Sequence, residues 1–197
     1  MRAKTEKVDG EAQTLYEAFK LNAEAVSARV DRAADSLEAA FKVTEIVRQV
    51  GAKKVVAEPS PLVDSLGLDA LWNESGPSLH RGNLRLHAPD AEVGISGLDL
   101  AIVETGTLVQ DATCIGGRLV SMLPPVHVAL VRTDRIVATL RVALDRYSGN
   151  LNGLPPYLAF ISGPSRTADI ERVLTIGVHG PGELRIIFID RPGVEAV

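Results

Sequence analysis

The segment Ile161-Ser162-Gly163-Pro164-Ser165-Arg166-Thr167-Ala168-Asp169-Ile170-Glu171 gathers hydroxyls, a guanidinium and small residues directly after an apolar run. Read as the junction of a strand with a helix, it suits an anion. The unpaired N–H groups and partial positive charge of a helix start attract carboxylate or phosphate, and Ser162, Gly163, Ser165, Arg166 and Thr167 are the candidate contacts. The structural alternative makes Thr167 the helix cap, sets Asp169 and Glu171 against the helix dipole and pairs Arg166 internally. Residue types alone leave both open.

Glu104-Thr105-Gly106-Thr107 follows the apolar run Leu100 to Val103. A carboxylate at a strand end can act as nucleophile or general base when its surroundings tune it, and glycine lets a substrate approach the backbone. Glu104 is therefore the catalytic candidate, with Thr105, Gly106 and Thr107 as substrate contacts. Hydrogen bonding within the turn is the competing role.

His127, at the entry to an apolar strand, and His179, in a glycine-rich turn, could exchange protons near neutral pH. No histidine pair stands at metal-ligand spacing, so no metal is expected. Ser96, Ser162 and Ser165 lack the glycine-flanked elbow of a hydrolase nucleophile. Cys114 is the only cysteine, which excludes an intrachain disulfide and an all-thiolate iron–sulfur cluster in this chain. A packing role is expected for it.

The elements that must position these groups alternate. Helical spacing runs from Glu11 to about Arg32 and again from Ser36, the expected cap, to Val50, where Gly51 supplies the stop. Lys53 to Ala57 reads as a strand, and Pro61 to Trp72 as a helix broken near Gly67. Short β-prone pieces follow at Val93 to Ile95, Leu100 to Val103 and Thr107 to Val109. Val126 to Val131 is a buried strand, Asp134 to Tyr147 a helix, Tyr157 to Ile161 a strand, Thr167 to Leu174 a helix and Leu184 to Ile189 a closing strand. This predicts an α/β fold, a mostly parallel sheet with helices on both faces. The expected organisation is a helical arm over residues 1–35 and an α/β domain over 36–197.

With a formal charge of −4, the chain is a poor candidate for binding nucleic acid. No apolar stretch reaches the ~20 residues needed to cross a bilayer, and Met1 to Gly10 is unlike a secretory signal, so a cytoplasmic protein is expected. Glycine patterns of a dinucleotide turn or P-loop are missing, and no cofactor is expected.

Val103-Glu104-Thr105-Gly106-Thr107, Leu123-Pro124-Pro125-Val126-His127, the Ser162 to Glu171 segment and Gly177-Val178-His179-Gly180-Pro181 together resemble the lactate utilization domain (LUD) family in order and spacing. The resemblance is strongest from about Asp90 to Asp190. Gln110-Asp111 departs from it, being more polar than the apolar continuation expected after the turn. The resemblance implies the fold of ribose-phosphate isomerases, glucosamine-phosphate deaminases and coenzyme A transferases. It also implies an accessory or substrate-handling part in bacterial oxidation of L-lactate to pyruvate, beside iron–sulfur partner proteins and with a small carboxylate as ligand. Two other classes stay open. One is a self-sufficient isomerase- or transferase-like enzyme acting through Glu104. The other is an adaptor whose helix face from Leu15 to Val26 docks a partner or a second copy of the chain.

Overall fold

The computed structural model describes residues 2–73, 76–148, 155–164, 166–168, 174–176 and 180–193. Helix α1 (Arg2–Ala25) ends where Ser27 takes a φ of 70°, and the chain then enters strand β1 (Arg29–Asp35). The helical spacing read as far as Arg32 thus stops earlier, and residues expected in a helical arm form a strand of the main sheet. Only Val30 and Ala33 of β1 are buried, so its polar content hides it. Helix α2 (Ser36–Val50) is capped by Asp35 rather than Ser36: the Asp35 carboxylate accepts from the Glu38 N–H at 2.9 Å, and Glu38 accepts from the Ala34 N–H at 2.8 Å. Gly51 closes it at φ 69°.

Strand β2 (Lys54–Ala57) leads to helices α3 (Pro61–Asp64) and α4 (Leu68–Leu71), separated at Gly67 as expected, and α3 is opened by the Ser60 hydroxyl and Pro61. Then come β3 (Ser78–His80), α5 (Leu84–His87), β4 (Val93–Leu98), β5 (Leu100–Ile102), β6 (Thr107–Asp111) and α6 (Ile115–Met122). After β7 (Val126–Arg132) the helix expected from Asp134 is divided. Ile136 and Val137, branched and buried, form the short strand β8 (Ile136–Val137), and α7 (Leu140–Ser148) starts only beyond it. The chain continues through β9 (Leu158–Ile161), β10 (Arg166–Ala168), β11 (Leu174–Ile176) and β12 (Glu183–Arg191).

The main sheet has the order β1-β12-β7-β4-β2-β3 and is parallel throughout. A second, mixed sheet, β8-β5-β6-β9, stands beside it. One face of the main sheet is covered by α2, α3 and Trp72; the other receives α1, whose Tyr16 and Phe19 meet Phe188 edge-on at centroid distances of 5.4 and 5.1 Å. Burying Phe19 completely contributes roughly 2–3 kcal/mol. Because Tyr16, Phe19 and Ala23 lie in this chain's own core, the α1 face is not a free docking surface. Among the described residues no helix is long and apolar enough to cross a membrane.

Candidate functional site

The turn after β5 and the loop after β9 meet. Thr105 Oγ1 donates to Thr107 Oγ1 at 2.7 Å, and the Thr107 and Ser162 hydroxyls are 2.6 Å apart. Both segments also serve α1. Gly106 has φ 59°, and a Cβ there would run into the Ala23 backbone, while Asn22 Nδ2 donates to the Val103 carbonyl at 2.8 Å. Gly163 lies against the carbonyl of Val26. Glu104 points elsewhere: its Oε2 accepts from the Leu140 N–H at 3.1 Å, at the start of α7.

Arg166 and Thr167 lie in β10, which pairs antiparallel with β11. Where the sequence predicts a helix start, Arg166–Ala168 is a strand, and residues 169–173 of the expected helix lie outside the described residues. The β-branched residues Thr167, Thr175 and Ile176 account for the preference. Ser165 and His179 lie outside the described residues, and the side chains of Arg166 and Thr167 are likewise not described. His127 is fully buried in β7, with Nε2 2.8 Å from Ser96 Oγ and no partner on Nδ1 among the described residues. Burial pushes its pKa down to about 4, so it is neutral near neutral pH. Cys114, expected to be packed, is exposed.

The sheet itself marks a second place. From β2 the chain moves outward to β3, whereas from β4 it moves the other way, through β7 to β12. Loops at the carboxyl ends of β2 and β4 diverge at this switch point, where open α/β sheets place ligands. A cleft of about 450 Å3 opens there, with Ser60, Gly97, Asp99, Arg132, Arg135, Arg146 and Tyr147 among its walls. Arg132 is held by Asp134 through contacts of 2.9 and 2.6 Å. Arg135 acts electrostatically on Asp99, and Arg146 is exposed. Burial raises the Tyr147 phenol to about 12, and its hydroxyl has no partner among the described residues.

Glu58, one residue beyond β2, accepts from Gln110 Nε2 at 3.1 Å and from the Gly97 N–H. Burial, then Asp99 and Asp111, push its pKa up to about 7 against the opposing hydrogen bonds. Residue-by-residue reading passes over Glu58, a lone acid before Pro59. The signal that finds it is Gln110: an amide inside an apolar strand, 1% exposed, needs a partner.

The LUD domain family matches residues 16–189. Lactate utilization protein C of Shouchella clausii is 35% identical over 153 residues, covering 74% of this chain and 66% of that protein. The Bacillus subtilis protein of the same name is 32% identical over 158 residues, with coverages of 74% and 66%. The chain thus spans about two thirds of the length of these relatives. A DUF162 family protein from Deinococcus radiodurans, known from a crystal structure, shares the fold with a TM-score of 0.63 at 22% identity, over 91% of this chain and 97% of that one.

Proposed function

Because this chain belongs to the LUD domain family, we propose that it is a cytoplasmic component of bacterial L-lactate utilization, working beside iron–sulfur partner proteins. The observation that carries this reading is the similarity to relatives called lactate utilization protein C along some three quarters of the chain, 74% in the Shouchella clausii case. A single cysteine fits such a division of labour, since thiolates for a cluster would come from other chains.

Within that role the chain handles a small carboxylate. Arg135 and Arg146 on the switch-point cleft offer two guanidinium groups that, among the described residues, form no ion pair of the kind that Arg132 has. A stand-alone transferase or isomerase acting through Glu104 gains no support, because that carboxylate is engaged at the start of α7.

The test is L-lactate-dependent dye reduction in cell extracts lacking this chain. Loss of reduction, restored by adding back the purified protein, is the expected result. Undiminished reduction with the iron–sulfur proteins present overturns the role.

A further inference from the structure

Asp99 is the single residue between β4 and β5, and β6 holds it twice. Its N–H donates to the Val109 carbonyl at 2.9 Å, and its Oδ2 accepts from the Asp111 N–H. Its other oxygen takes no hydrogen bond among the described residues, and the residue is exposed on the wall of the cleft that also carries Arg135 and Arg146. Asp99 and Arg135 are near enough to act on one another, yet they form no ion pair. Other acids and bases that meet in this fold do close: Asp134 on Arg132, Asp190 on Arg32 and Asp90 on Lys54. Pinned to β6, Asp99 leaves a gap between a fixed acceptor and a guanidinium, both on one cavity. The other groups it acts on or feels are Asp111 of β6, Glu58 beyond β2 and the Tyr147 phenol of α7. Loss of water between these walls, ahead of repulsion from Asp111, raises the pKa of Asp99 against the Asp111 N–H and the pull of Arg135. A carboxylate short of water gains more from a donated hydrogen bond.

The geometry points to Asp99 as the acceptor for the hydroxyl of a small 2-hydroxy acid whose carboxylate lies toward Arg135 and Arg146. The inference rests on the carboxylate reading above and adds the other half of the ligand. A hydroxyl on the carbon next to a carboxylate is a donor beside an anion, the complement of an acceptor beside a guanidinium. A 2-oxo acid of the same size presents only lone pairs at that position, and Asp99 repels them. The cleft thus tells the two acids apart by the sense of one hydrogen bond. Shape alone cannot do so, because a cleft of about 450 Å3 admits either. No bond of the ligand breaks on binding.

Calorimetric titration of the full chain at neutral pH with L-lactate, pyruvate and 2-methoxypropionate tests this. L-Lactate binds roughly tenfold more tightly than pyruvate, or better. 2-Methoxypropionate keeps the oxygen but has no proton to donate, and it falls with pyruvate. Asp99→Asn retains an acceptor for the Asp111 N–H and offers the ligand an amide N–H, so the preference for L-lactate disappears or reverses. Arg146→Gln weakens both acids and leaves their ratio unchanged. If both acids bind the parent equally, or the preference survives in Asp99→Asn, the Asp99 assignment is overturned and the carboxylate reading stands. If neither acid binds, the carboxylate reading falls and the Asp99 assignment with it. Where Asp99→Asn does not fold, the parent chain decides: 2-methoxypropionate bound as tightly as L-lactate overturns the assignment.

Discussion

Glu104 Oε2 accepts a hydrogen bond from the Leu140 N–H at 3.1 Å, and the Thr139 hydroxyl accepts from the Val142 N–H at 3.3 Å, so α7 starts under two side-chain caps. The strongest catalytic candidate in the sequence is thereby a helix-capping group from a distant turn. Glu104→Ala is expected to cost about 0.5–1 kcal/mol by urea unfolding. Lactate-dependent dye reduction in the add-back assay stays at the parent level; a loss of activity at unchanged stability would return Glu104 to the chemistry.

Glu58 and His127 make opposite contributions to the pH dependence of stability. Glu58 keeps its proton in the fold up to about 7, against an ordinary value of 4.5, so stability falls as pH rises through that window. His127 refuses its proton in the fold down to about 4, against an ordinary 6.5, so stability rises with pH through that window. Where the windows overlap the slopes oppose each other, and the parent protein is expected to show a nearly flat profile. Glu58→Gln uncovers the His127 rise. At about pH 8 it exceeds the parent by on the order of 2 kcal/mol, allowing for the partial exposure of Glu58. Urea midpoints measured across this range check both features, and equal stability at the alkaline end would mean that Glu58 titrates normally.

Sequence patterning reveals the centre of the sheet better than its margins. Val126 to Val131 apart from His127, and Leu184 to Ile189 apart from Arg185, are apolar runs because each strand is buried on both faces between neighbours. β1 sits at the edge and buries little, so its residues read as an extension of α1. α6 is concealed by Gly116 and Gly117, which weaken any helical signal, yet Gly117 is what lets the helix approach Glu58. Thr107 and Ser162 each stand out in the sequence as candidate contacts, though their pairing does not, whereas Glu58 depends on a partner 52 positions away in sequence. A topological switch point has no local signature, because it is a property of strand order.

Gly106 joins the turn after β5 to α1 through its φ of 59° and through contact with the Ala23 backbone. Gly106→Ala meets both a left-handed conformation unfavourable to a side chain and a helix backbone that cannot yield. A loss of at least about 2 kcal/mol is expected. Hydrogen exchange locates the effect: protection drops in α1 and in the Thr105 to Thr107 turn while β7 and β12 keep theirs. Uniform loss of protection would show that α1 docking and the sheet unfold as one unit.

Gly117→Ala separates the packing of α6 from the tuning of Glu58. The new Cβ would stand 2.5 Å from Glu58 Oε1 and 2.9 Å from Gln110 Nε2. Both atoms terminate side chains, so the less costly response is for Glu58 to swing outward toward water rather than for helix and sheet to separate. Stability then drops by only about 1 kcal/mol. Released from burial and from Gln110, the carboxyl returns toward its ordinary acid range, because the desolvation that raised it exceeds the hydrogen bond that lowered it. A carbon NMR titration of the variant therefore shows the near-neutral carboxyl moving to lower pH. A large destabilisation with the titration unmoved would mean that α6 lifts away and Glu58 stays in place.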